Sequence, residues 1–285
     1  MEQTKSDKKI ARSDKVPEGE EPAWIGIGRA VGGAIIFSLP IMMTMEMWWI
    51  GFYIEPLRLL LLILLSLPLF YGISTMVGFR NSKTFFDNVV DVLVAYAVTF
   101  ITTGILLFTF GVIAPGTHIE NIFCMLLLQA VPGSLGALLA RNVVGDNSLQ
   151  SQKDSRRYSD ELTILATGAL FLAFNISPTE EMALISYRMA TWQTLILVMI
   201  TLVVMQAFAV ARSDLNTSDF GSWRTHWLTF FRFTAIGYLF AIAISLFMLW
   251  VFGNLDDHSF HNTIKIAIVL GFPAGVGAAA ARMII

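Results

Sequence analysis

The chain has 285 residues, 55% of them apolar and 14% charged, with a mean hydropathy of +0.67. That balance excludes a water-soluble globular domain, which carries far more charge, and a single cysteine, Cys124, excludes a disulfide framework or a thiolate metal cluster. The net charge of −2 is uninformative as a total, but its distribution along the chain is not.

Residues 1–22 are polar and charged, form neither a signal peptide nor an amphipathic anchor, and read as a disordered tail. Eight apolar stretches follow, near 24–50, 57–79, 89–113, 119–140, 162–177, 190–211, 227–253 and 264–284. Each is long enough, or nearly so, to cross about 30 Å of hydrocarbon as a helix, which takes about 20 residues; the fifth is the shortest. The polar stretch from Gly145 to Glu161 reads as a flexible linker. The expected layout is a tail over 1–22, a membrane unit over 23–144, a linker over 145–161 and a second membrane unit over 162–285.

Lysine and arginine orient these spans. With eight spans and the N-terminus in the cytosol, sixteen Lys and Arg fall on the cytosolic side and only Arg58, Arg188 and Lys265 on the outer side. This asymmetry is the positive-inside pattern, and it places both termini in the cytosol.

The two membrane units repeat one another. Gly33, Ala34, Thr44, Glu46 and Met47 recur as Gly168, Ala169, Thr179, Glu181 and Met182 at an offset of 135. Tyr96, Phe110 and Gly111 recur as Tyr238, Phe252 and Gly253 at an offset of 142, and Pro132, Gly136, Ala137, Ala140 and Arg141 recur as Pro273, Gly277, Ala278, Ala281 and Arg282 at 141. Ordered matches at nearly one offset indicate an internal duplication. Four spans per unit is an even number, so both copies insert in the same sense, related by a pseudo-twofold axis along the membrane normal.

Each copy carries a glutamate inside apolar sequence, the placement that costs most in lipid. Pro40 interrupts the first copy just before Met42, Met43 and Thr44. In the second, Ser177, Pro178 and Glu180 have the spacing of an N-cap, a first-turn proline and a capping-box glutamate. Broken backbone at membrane depth would expose carbonyls beside a carboxylate and a hydroxyl, all hard oxygen ligands suited to a cation or a proton. On this reading Glu46 and Glu181 form a paired ion site with Thr44 and Thr179 as auxiliary ligands. The bland alternative places both glutamates in the headgroup zone, with Trp48 and Trp49 as an interfacial belt and Glu180 as a cap.

Secondary candidates are weaker. Asp87 and Asp91 share a helix face and read first as solvated helix-end acids, or as a pair with Arg232 across the pseudo-axis. Arg141 and Arg282 recur as anchors at span ends. Gly133, Gly136 and Ala140, with Gly271, Gly275, Gly277 and Ala278 to Ala281, make small-residue faces on which the halves approach one another. Met42, Met43, Met45 and Met47 surround Glu46 and offer thioethers to a soft metal, although the second copy keeps only Met182. Asp256, Asp257, His258 and His261 read as an exposed loop or a divalent-ion site. No nucleophile or acid pair has catalytic spacing, so no enzymatic activity is expected.

The run from Thr44 to Trp49, with Pro178 to Glu181, resembles a family of bacterial integral membrane proteins of unknown function. The resemblance covers nearly everything after the tail. It implies a bacterial plasma-membrane location and supplies no mechanism, substrate or site residues.

The sequence therefore predicts an all-α integral membrane protein of about eight spans in two parallel four-helix repeats. Its expected work is moving a cation or proton, as a channel or a transporter, through Glu46 and Glu181. The alternative is a non-transporting scaffold or sensor. Expected partners are the lipid bilayer and a small inorganic cation or proton; no cofactor and no nucleic acid is expected, the identity of any metal is left open, and self-association stays open.

Overall fold

The computed structural model describes residues 23–77, 84–114, 116–145, 158–214, 230–256 and 258–284. The N-terminal tail and most of the expected linker lie outside the described residues. Within them the fold is helical: α1 (Ala23–Met42), α2 (Met45–Tyr53), α3 (Pro56–Val77), α4 (Phe85–Thr109), α5 (Ile119–Gly145), α6 (Tyr158–Ile176), α7 (Glu181–Arg188), α8 (Thr191–Asp214), α9 (Ile236–Val251) and α10 (Phe260–Ile284). A π-helical turn, Phe230–Ala235, leads into α9. Seven helices are long and apolar enough to cross a membrane, and the bent pair α1–α2 makes eight if counted as one span.

Two boundaries differ from expectation. The first span does not run straight to residue 50: the chain bends by 86° between Met42 and Met45, and α2 leaves the line of α1. The expected linker is helical from Tyr158, because Asp160 and Glu161 sit in the first turn of α6, where the helix dipole favours acids.

Large apolar side chains such as Phe70, Leu128, Leu135, Phe174, Leu249 and Leu270 fill the core, while the remaining faces of the long helices are apolar and exposed, as lipid-facing surfaces are. Small residues set the closest approaches. A Cβ on Gly33 would overlap the Gly136 carbonyl and the Ala140 methyl, and one on Gly168 would overlap the Gly277 carbonyl and the Ala281 methyl. These faces therefore bring α1 onto α5 and α6 onto α10, within each half, and not one half onto the other.

The repeated residues also share local geometry. Gly111 and Gly253 both take positive φ, 73° and 79°, just after α4 and α9, where an L side chain is strained. The residue after each glycine donates its amide back, Val112 to Leu107 O at 3.0 Å and Asn254 to Leu249 O at 2.9 Å.

The halves nonetheless meet asymmetrically. α3 packs against α6 and α9, while the reciprocal pairs, α8 with α1 and α8 with α4, are not among the principal contacts of the described residues. α8 is the least buried of the membrane-length helices, with 17% of its apolar window covered. The equivalent helices α1 and α6 still touch across the halves, through the Phe37 and Phe171 rings 4.7 Å apart, and α3 adds a contact on one side.

Candidate functional site: the broken helices and the buried face of α4

At the α1–α2 bend the backbone is already occupied. Met43 N donates to Leu39 O at 3.0 Å, and Thr44 donates to Ile41 O twice, through its amide at 3.1 Å and its hydroxyl at 2.7 Å. Trp48 Nε1 donates to Met42 O at 2.7 Å. The expected exposed carbonyls are thus capped by the chain itself, as backbone in an apolar setting must be. Thr44 is extended (φ −95°, ψ 129°) and precedes α2, whose first turn holds a half-buried Glu46.

The second half repeats this turn. Thr179 donates to Ile176 O through its amide at 3.1 Å and its hydroxyl at 2.8 Å. The expected cap at Ser177 does not form: α7 begins at Glu181 and is preceded by a helical Glu180 with no side-chain cap bond. Ser177 is buried instead, and its carbonyl accepts from Asn254 Nδ2 in the turn after α9. The Ser177 hydroxyl, which would have made the cap, has no partner among the described residues. Glu180 and Glu181 are both exposed.

Glu46 and Glu181 sit in matching places on different supports, α2 lying on α5 and α7 on α10. Thr179 and the Glu181 amide hold the Glu181 carboxyl below the usual carboxylate range, against a small opposing effect of burial. Two carboxylates sharing one site would shift the other way.

The thioethers do not converge. Met42 and Met47 are buried, whereas Met43 and Met45 are exposed. The residues of the turn after α9 are used elsewhere: Asp256 binds Arg58, and His258 Nδ1 lies 2.9 Å from the Tyr187 hydroxyl. Asp257 lies outside the described residues, and among those described no cluster of three metal-ligating side chains forms.

Asp91 overturns its expectation. It is only 4% exposed, so it is not a solvated helix-end acid; Asp87, one turn earlier, is half-buried. Ser74 Oγ on α3 reaches Asn88 Oδ1 at 3.4 Å and Asp91 Oδ2 at 3.5 Å. The side chains of Arg141 and Arg232 lie outside the described residues. Arg282 stacks 3.8 Å over the Phe233 ring and lies 3.6 Å from Glu161 Oε2, so it joins α10 to the start of α6.

Sequence reasoning missed the polar residues above Asp91. Ala95, Thr99 and Thr103 continue its helix face at intervals of four, and all are fully buried. Ser38 of α1 meets Thr99 over Gly133, and Gln129, one turn before Gly133 on α5, is buried as well. The signal was present as hydroxyls at helical spacing, but threonine is common in membrane helices, where it bonds its own backbone, as Thr103 does to Thr99 O at 2.8 Å. Beyond Thr103 a second, small apolar cluster of Met42, Leu107, Met125 and Leu126 closes the bundle, with Trp48 packed against it.

Residues 26–285 match the family described as "Putative integral membrane protein (DUF2391)", and the chain belongs to that family. No curated protein and no solved structure matches the chain significantly.

Proposed function

We propose that this DUF2391 integral membrane protein moves a cation or proton across the bilayer, by a route along the buried face of α4. The observation that carries the reading is the Asp91 carboxylate, 4% exposed within a membrane-length apolar helix. An ionisable group held there costs several kcal/mol unless partners or function retain it. The route runs from Asp91 past Thr99 and Thr103 to the apolar cluster at Leu107, about 24 Å along the helix at 1.5 Å per residue. Glu46 and Glu181, each behind a threonine turn, supply carboxylates at the end of the bundle remote from Asp91. Two parallel repeats with cytosolic termini complete the proposal, which makes the work transport and not catalysis; the shared turns at Thr44 and Thr179 support the repeat.

A second reading is favoured by one specific feature. Met42, Leu107, Met125 and Leu126 seal the first-half bundle next to Trp48, as a scaffold or sensor that passes nothing would require.

Reconstituted vesicles separate the two readings. Asp91→Asn should abolish cation or proton flux, and Glu46→Gln and Glu181→Gln should each reduce it, with expression and folding retained. Flux equal to the parent in Asp91→Asn would remove the route, and no flux in the parent under any cation gradient would favour the scaffold.

A further inference from the structure

We propose that Ser38 and Thr99, which meet over Gly133 inside the first half, with Gln129 one turn away along α5, form a binding site for a dehydrated monovalent alkali cation, a site that the second half lacks. This deepens the transport reading and rests on it. Gly133 makes the grouping: a Cβ there would overlap both the Thr99 methyl and the Ser38 hydroxyl, so only glycine lets α1 and α4 meet over α5 at this level. Gln129 lies one turn from Gly133 on the same face of α5.

Three oxygens in this group have no hydrogen-bond partner: Ser38 Oγ, Thr99 Oγ1 and Gln129 Oε1. Their residues expose no more than 2% of their surface. Buried polar atoms in native proteins are nearly always bonded, so the orphaned oxygens of Ser38 and Thr99 over Gly133, with that of Gln129 one helical turn away, point to an occupant that supplies positive charge or donors. Hydroxyl and amide carbonyl oxygens are hard, neutral ligands, which suit alkali cations. Asp91 lies eight residues away along α4, about 12 Å. The group is therefore uncharged, and desolvating a doubly charged ion into it would cost about four times as much as a singly charged one, since the Born cost grows with the square of the charge.

The second half is the internal control. At offsets of 135, 142, 141 and 141, Ser38, Thr99, Gln129 and Gly133 are matched by Ala173, Ala241, Leu270 and Ala274. Those four are fully buried as well, so the same packing is filled there by apolar side chains. The hydroxyls and amide of the first half are therefore not needed to build the bundle.

The test uses the full-length protein in nanodiscs, melted in sodium, potassium or choline chloride at one ionic strength. Sodium or potassium at about ten times its Kd should raise Tm by roughly 3 °C over choline. Ser38→Ala, Thr99→Ala and Gln129→Leu install the residues of the second half, so they should fold, and each should lose the shift. Thr99→Ser should keep it. Equal Tm in all three salts, with water alone on these oxygens, overturns the site, as does a shift that survives in the Ser38→Ala/Thr99→Ala double variant. Vesicle flux of the parent separates this inference from its premise. Flux without a salt-dependent Tm refutes the site and leaves transport standing; a shift without flux refutes transport and leaves the site.

Discussion

Arg58 at the start of α3 donates its Nη2 to Asp256 Oδ1, 2.9 Å away in the turn after α9, and so ties the first half to the second. Its Nη1 donates to Trp250 O at 2.8 Å, its Nε bonds Glu55 at 3.0 Å, and the guanidinium lies 5.2 Å from the centre of the Trp250 ring. Asp256 is more than half exposed and Arg58 is not, so the ion pair is solvent-screened while the carbonyl bond and ring contact are sheltered. Asp256→Asn should cost less than about 1 kcal/mol. Arg58→Ala should cost about 1–3 kcal/mol, by removing a charge-assisted bond and a cation–π contact. A denaturation series in which Asp256→Asn costs as much as Arg58→Ala would show that the salt bridge dominates this joint.

Glycine positions on α1 make an internal comparison. Gly33 faces the Gly136 carbonyl with no room for a methyl, whereas nothing lies within 4 Å of a Cβ on Gly32. Gly33→Ala should destabilise by about 1–3 kcal/mol, since the opposing atom is backbone and cannot rotate aside. Gly32→Ala should be neutral or stabilise by up to about 1 kcal/mol, because alanine restricts the unfolded chain. Thermal melts of the two variants check the order, and equal losses would mean that α1 does not pack on α5 in this register.

The helical spans were legible because hydropathy is a long signal. Seven of the expected spans appear as membrane-length helices, and Gly33 and Gly168, matched in the sequence, are both points of close helix approach. What was not legible depended on contacts distant in sequence. The cap expected at Ser177 does not form, and its carbonyl instead accepts from the distant Asn254, while the 86° bend after Met42 is held by Thr44 and Trp48 together. Asp91 looked solvated because its partner Ser74 lies on α3, 17 residues earlier in the chain, and is not visible from the pattern of its own helix. The threonine column above it was masked by the habit of threonine in helices, and only the orphaned oxygen of Thr99 distinguishes it.

The bend after Met42 gives a direct prediction. Trp48→Phe keeps the ring near the apolar cluster of Met42 and Leu107 but removes the Nε1 donor from Met42 O. A half-buried carbonyl without a partner should cost about 1–3 kcal/mol, and hydrogen exchange at the first turn of α2 should rise. Unchanged exchange there would show that the Thr44 bonds to Ile41 suffice to fix the turn.

The Glu181 carboxyl sets a pH dependence whose sign is fixed by its cause. Because Thr179 and the helix amide favour the ionised form, the folded pKa lies below the unfolded one. The associated stability is fully present above the unfolded carboxylate pKa and is lost as pH falls through the folded value, on the acid side of about 4. Glu181→Gln should therefore flatten the acid limb of the stability profile without moving it near neutrality. Glu181 is exposed, so the change should be small. A variant that gains stability at neutral pH would mean instead that Glu181 suffers repulsion from another carboxylate.

Methionine chemistry near Glu46 can be separated from oxygen chemistry with one variant. Met42 and Met47 are buried while Met43 and Met45 are exposed, so no three of the four sulfurs share an enclosed volume. Changing all four to leucine preserves roughly the same apolar volume and should cost below about 1.5 kcal/mol per swap. The cost should come mainly from Met42 and Met47, since the other two have little packing to lose. Thr44, Glu46 and the backbone bonds of the bend remain in place. Flux in vesicles should therefore persist in the leucine variant and fall in Glu46→Gln. Loss of flux in the leucine variant, with Glu46→Gln still active, would transfer the function from the carboxylate to the thioethers and make a soft metal the cargo.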